Sequence, residues 1–163
     1  MAVRKRIIEA LATGFYLGKI PFMPGTWGTL AGIPAVLLLA QLNSDIGYMV
    51  GVVVLILVAS FVAELYEREH GGHDPGEIVI DEVAGYAVAM TMLPQTWQAY
   101  LAAFIVFRII DIFKPYPINR IDQRVKGGLG TVLDDVAAGL VANVILQIIY
   151  TKTNWLGEIL NAS

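Results

Sequence analysis

Cysteine is absent from the 163 residues, which excludes disulfides, thiolate metal ligands and the cysteine-nucleophile chemistry of some phosphatases and proteases. Charge is scarce as well. Only 15% of residues are charged against 56% hydrophobic, and the mean hydropathy is +0.65, too apolar for an ordinary soluble domain of this length. The net charge of −3 carries no basic excess, which argues against a nucleic-acid partner. There is no internal repeat, no sustained strand-like alternation and no linker, so residues 1–163 read as one helical domain.

What the chain does have is long uncharged runs. No charge occurs over 20–44, 46–63 or 83–107, and each run is long enough to cross a bilayer core or form a helical hairpin within it. The run 136–151 is slightly short and needs Leu133 or thinned lipid to complete it. A cleaved leader is not expected, because Glu9 and Lys19 interrupt the segment after Arg4, Lys5 and Arg6.

The predicted architecture is an all-α membrane bundle of about five main helices plus a short N-terminal interfacial helix over 1–19, where Ile7, Ile8, Leu11 and Phe15 recur at helical spacing. The prolines and glycines of Pro21–Thr29 impose a turn, and Thr26 is expected to cap a helix running to about Gln41. Gly28 and Gly32 give that helix a face for close packing. Further helices are predicted over about 46–69, 81–93, 96–113 and 131–150, with a polar glycine-rich loop at 70–76 and a short tail at 151–163. Arg4–Arg6, Arg68, Lys114, Arg120, Arg124 and Lys126 fall on one side if the spans alternate, whereas the turns at 43–45 and 94–97 carry no Lys or Arg. The positive-inside rule puts the basic side in the cytoplasm. His73, Asp74, Glu77, Asp81, Glu82, Asp111, Asp134 and Asp135 then gather at that same face.

Carboxylates beside hydrocarbon are costly unless a cation compensates them, and clustered hard oxygen ligands suit Mg²⁺. Singly, Asp81-Glu82 and Asp134-Asp135 also read as helix-capping acids. Arg108 and Asp111 share a helix face, either as an intrahelical ion pair or with Arg108 and Lys114 gripping a phosphate. Thr26 and Thr29 at a helix start are anion-binding candidates. His73 is a candidate general acid or base, or a solvated loop histidine.

Four segments, 24–29 (PGTWGT), 73–85 (HDPGEIVIDEVAG), 107–118 (FRIIDIFKPYPI) and 127–136 (GGLGTVLDDV), closely resemble bacterial phosphatidylglycerophosphatase A, in that family's order from about Ala12 to Ile149. The resemblance implies a Mg²⁺-dependent integral membrane phosphatase of the bacterial inner membrane. Such an enzyme removes the terminal phosphate of phosphatidylglycerophosphate to give phosphatidylglycerol, on the way to cardiolipin.

The expected roles follow. Asp81, Glu82, Asp134 and Asp135 hold one or two Mg²⁺, with Asp111 as a further ligand. Arg108 and Lys114 stabilise charge on the phosphoryl oxygens, Thr26 and Thr29 orient the phosphate, and Glu77 or His73 moves the proton. A carboxylate nucleophile is the alternative to an activated water. The competing class is a small ion or solute transporter, disfavoured because no carboxylate lies at the middle of a span.

Overall fold

The computed structural model describes residues 2–71 and 75–157. Among them every regular element is helical: α1 (Ala2–Ala12), α2 (Pro24–Ala40), α3 (Asp45–His70), α4 (Ile80–Ala89), α5 (Trp97–Phe113), α6 (Ile118–Arg124) and α7 (Gly128–Lys152), with one 3-10 turn at Leu17–Lys19. This is the expected all-α bundle with α6 added. Pro115 and Pro117 do stop α5, but proline is also well suited to a helix start, and Ile118 anchors the new helix in the core at 1% exposure.

Two starts follow ordinary capping. Ser44 Oγ accepts from the Gly47 N–H at 3.3 Å, and Thr96 Oγ1 from the Ala99 N–H at 3.2 Å. Other boundaries move for identifiable reasons. Instead of running to residue 19, α1 ends at Ala12, because buried Thr13 donates to Glu9 O at 2.7 Å and accepts from the Tyr16 N–H at 3.1 Å, and Gly14, Phe15 and Tyr16 all take positive φ. At α2, Pro24 supplies the first turn and Thr26 lies inside the helix rather than capping it. The early end of α4 at Ala89 is explained by α7. Asn143 Nδ2 donates to Ala89 O at 2.9 Å and Thr91 O at 2.7 Å, and Gln147 Nε2 donates to Thr91 O and Met92 O at 3.1 Å each. These amides satisfy carbonyls that a longer α4 would have paired internally.

Three residues earlier than expected, α7 starts at Gly128, whose N–H is accepted by Glu64 Oε2 at 2.7 Å. Glycine is needed there, because a Cβ would stand 2.7 Å from Glu64 Cα. The tail is tied down at its described start: Leu156 is fully buried and its carbonyl accepts from Thr96 Oγ1.

The centre of the bundle is α4, with eight of its ten residues buried and its most extensive packing against α7 and then α2. Glycines set these distances. A Cβ on Gly85 would meet Asp135 O at 2.7 Å, and one on Gly28 would meet Val79 Cβ at 2.6 Å, so the predicted close-packing role of Gly28 holds.

Around this core, α3 and α7 are long enough to cross a bilayer, with hydropathies of 2.6 and 1.8 over their most apolar stretches, yet only 28% and 39% of those stretches is buried. Val54, Leu57 and Phe61 on α3 and Leu140, Val144 and Ile148 on α7 point outward. A soluble core helix would be covered; exposed apolar stripes of this kind mark a membrane-associated protein.

Candidate active site

Helix ends create the site. The first turn of α4 brings Asp81 and Glu82, the last turns of α5 bring Arg108 and Asp111, the second turn of α7 brings Asp134 and Asp135, and the start of α2 closes one side with Met23, Pro24 and Gly25. Together with Lys114 they line a cavity of about 380 Å³. Of the acids expected to converge, Asp81, Glu82, Asp111, Asp134 and Asp135 line this one cavity.

Within the cavity the carboxylates divide. Asp81, Glu82 and Asp135 each offer an oxygen within 4.8 Å of the other two. Asp81 and Asp135 are buried, and Glu82 Oε2 is buried without a hydrogen-bond partner among the described residues. Asp134, also at the cavity wall, is engaged by Lys114: its Oδ2 accepts from Lys114 Nζ, which also donates to Asp122 Oδ1 at 2.9 Å. The expected four-carboxylate set therefore resolves into a nest of three plus an Asp134–Lys114 pair. Nor do Asp134-Asp135 cap α7, since that helix begins at Gly128.

The positive side of the cavity is Arg108. Its Nη1 donates to Asp111 Oδ2 at 2.5 Å and lies 3.9 Å from Glu82 Oε1, while its Nε is buried without a hydrogen-bond partner among the described residues. Burial is the leading influence on Glu82 and pushes its carboxyl up to about 8; a hydrogen bond with Asp81 and the charge of Arg108 oppose that rise, and Asp135 and Asp111 add to it. Burial alone would lower the Lys114 ammonium, but its hydrogen bonds to Asp134 and Asp122 hold it above its ordinary value. Rather than snorkelling to the surface, Lys114 closes α5 in a left-handed conformation and turns back into the site.

Two expected substrate groups are elsewhere. Thr29 is fully buried and its Oγ1 donates to Gly25 O at 2.8 Å, and neither Thr29 nor Thr26 lines the cavity. What the 24–29 motif supplies is close approach: a Cβ on Gly25 would overlap Glu82 Oε1 and stand 2.8 Å from Arg108 Nη1. Glu77 is exposed, lies outside the cavity wall and accepts from Tyr66 Oη at 2.7 Å. His73 lies outside the described residues. Sequence reasoning missed Asp122, Glu64 and Glu67. Glu67 Oε1 accepts from buried Thr131 Oγ1 at 2.6 Å and so joins α3 to the start of α7. These acids sit in visibly charged segments where nothing distinguishes them from solvated neighbours.

A cavity pairing buried carboxylates with Arg and Lys at a membrane-associated bundle suits a phosphorylated ligand and a divalent cation. The family model for phosphatidylglycerophosphatase A matches residues 10–150. The chain belongs to the phosphatidylglycerophosphatase A family. All of the cavity's charged residues fall inside the matched region. Curated relatives include the phosphatidylglycerophosphatase A proteins of Haemophilus influenzae, 38% identical over 85% of this chain and 86% of the relative, and of Escherichia coli, 39% identical over 85% and 81%. A putative phosphatidylinositol-3-phosphatase of Bacteroides thetaiotaomicron is 34% identical over 85% and 90%. No solved structure matches the chain.

Proposed function

We propose that this protein hydrolyses the terminal phosphomonoester of phosphatidylglycerophosphate, giving phosphatidylglycerol and phosphate, with Mg²⁺ as cofactor, at the cytoplasmic face of the bacterial inner membrane. The observation that carries this reading is the juxtaposition of Glu82 and Arg108. Both residues line one cavity, and each keeps a buried polar atom, Glu82 Oε2 and Arg108 Nε, without a hydrogen-bond partner among the described residues, in a chain of this family.

The residues fit a divalent cation. Three carboxylates converge, and hard oxygen donors of this kind suit Mg²⁺, which keeps water and substrate phosphate in its shell. Asp81, Glu82 and Asp135 would hold it; when bound, it neutralises phosphomonoester charge and makes a coordinated water more acidic. Arg108 and Lys114 would receive the phosphoryl oxygens, each oriented by an acid, Asp111 for Arg108 and Asp134 for Lys114. Asp111 acts in this scheme as a positioning residue. In the reaction, water oxygen bonds to phosphorus, the bond from phosphorus to the glycerol oxygen breaks, and that oxygen takes a proton. His73 remains our candidate for the proton transfer. Glu77 is the weaker one, because Tyr66 already engages it.

Membrane embedding explains the apolar exterior. The acyl chains of the substrate stay in the bilayer while its phosphate reaches a site at the helix ends. The basic residues on the site's side of the bundle support cytoplasmic placement. The Bacteroides relative's printed name makes a phosphoinositide phosphomonoester the second reading.

Purified protein in detergent, assayed for released phosphate with phosphatidylglycerophosphate and with phosphatidylinositol 3-phosphate, tests both. The proposal expects Mg²⁺-dependent release that strongly favours phosphatidylglycerophosphate. Release only from the phosphoinositide would establish the second reading, and cation uptake by liposomes without phosphate release would favour a transporter.

A further inference from the structure

Beside the polar cavity runs an apolar groove of about 510 Å³ between α2 and α5, lined by Leu30, Ile33 and Leu37 on one side and Trp97, Leu101 and Phe104 on the other. Helical register on α5 relates it to the site. Trp97, Leu101, Phe104 and Arg108 are spaced i, i+4, i+7 and i+11, one face of α5, and Arg108 is the cavity's cation. On α2, Pro24 and Gly25 of the first turn belong to the cavity wall, and Leu30 and Leu37 further along the helix belong to the groove. From Trp97 to Arg108 the helix rises roughly 16 Å, so the groove runs well away from the cavity along the apolar bundle.

We propose that the α2–α5 groove seats one acyl chain of the lipid whose phosphate enters the acidic cavity, so that the headgroup is delivered in a fixed orientation. The inference rests on the lipid-phosphatase reading above. A chain lying against Leu101 and Phe104 leads its glycerol end toward Arg108, and the groove acts as a ruler for the substrate's apolar part. Selectivity for a membrane lipid over a water-soluble phosphomonoester then comes from the groove, while bond cleavage comes from the cavity.

The test fills the groove and reads two substrates. Leu101→Trp and Leu30→Trp are assayed with dioleoyl and with dihexanoyl phosphatidylglycerophosphate, beside Leu57→Trp on the outward face of α3 as control. The expected result is a loss of about tenfold in kcat/KM on the dioleoyl lipid, under twofold on the dihexanoyl lipid, and no change in the control. Equal loss on both lipids, or no loss on either, overturns the groove while leaving the phosphatase reading intact; wild type inert on both lipids overturns both.

A second measurement is independent of turnover in the variants. A dioleoyl-length analogue with a diazirine in one acyl chain is photolysed on Asp81→Asn protein and the labelled residues are mapped. Label on α2 and α5 groove residues, displaced by excess unlabelled substrate, supports the proposal. Label spread over α3 and insensitive to competitor contradicts it.

Discussion

Lys114 Nζ donates to Asp134 Oδ2 across twenty residues of sequence, while the adjacent Asp135 turns to Asp81 and Glu82. Successive residues on a helix point roughly 100° apart, and here Asp135 joins the nest while Asp134 is engaged by Lys114. Their roles should separate. Asp81→Asn and Asp135→Asn are expected to raise the Mg²⁺ concentration for half-maximal activity at least about tenfold, as befits lost ligands. Lys114→Met should act mainly on KM, with Mg²⁺ dependence near that of wild type. A Mg²⁺ titration at several substrate concentrations distinguishes the two patterns.

Gly25 tests close approach. A Cβ there would overlap Glu82 Oε1 and crowd Arg108, two side chains whose placement the chemistry needs, and displacements near 1 Å can cost roughly 100-fold in rate. Gly25→Ala is expected to lower kcat by that order while the thermal midpoint in detergent stays within a few degrees of wild type. Thr26→Val and Thr29→Val, outside the cavity, should retain most activity.

Thr131 joins α7 to α3 through Glu67, both residues being buried. Replacing it with valine removes a donor from a buried carboxylate, a change that costs about 1–3 kcal/mol. Thr131→Val should therefore unfold at lower temperature than wild type, and Thr131→Ser, which keeps the hydroxyl, should recover most of the difference.

Glu82 makes stability depend on pH. Its folded-state carboxyl is raised from 4.5 to about 8, chiefly by burial, so ionising it is harder in the fold than in the unfolded chain. Its contribution is full below the unfolded value and is lost as pH rises through the folded one. In EDTA the thermal midpoint should fall between pH 5 and about 8. Saturating Mg²⁺ should remove that fall, and Glu82→Gln should lessen it without metal, the remainder coming from Asp135, which burial also raises. Midpoints measured against pH with and without Mg²⁺ check all three.

Much of this was legible in the sequence because it depends on composition and local spacing. Long uncharged runs predicted helices, acids at the ends of those runs predicted a site, and the starts expected near 46 and 96 lie within a residue of those the structure shows. What escaped depends on long-range contacts. The end of α4 is decided by Asn143 and Gln147, more than fifty residues away, and the start of α7 by Glu64. The threonines of the 24–29 motif looked like anion donors, whereas only packing reveals that Pro24 and Gly25 are its residues at the site. Asp122 could not be told from any solvated acid until Lys114 was seen to reach it.

The most direct test of the central claim is phosphate release from phosphatidylglycerophosphate by wild type and Asp81→Asn across a Mg²⁺ series, with folding of both verified by thermal unfolding. The account predicts release by wild type that vanishes in EDTA and returns with Mg²⁺, and a folded Asp81→Asn protein that is inactive or needs far more metal. Full release in EDTA, or wild-type rates from Asp81→Asn at low Mg²⁺, would contradict it.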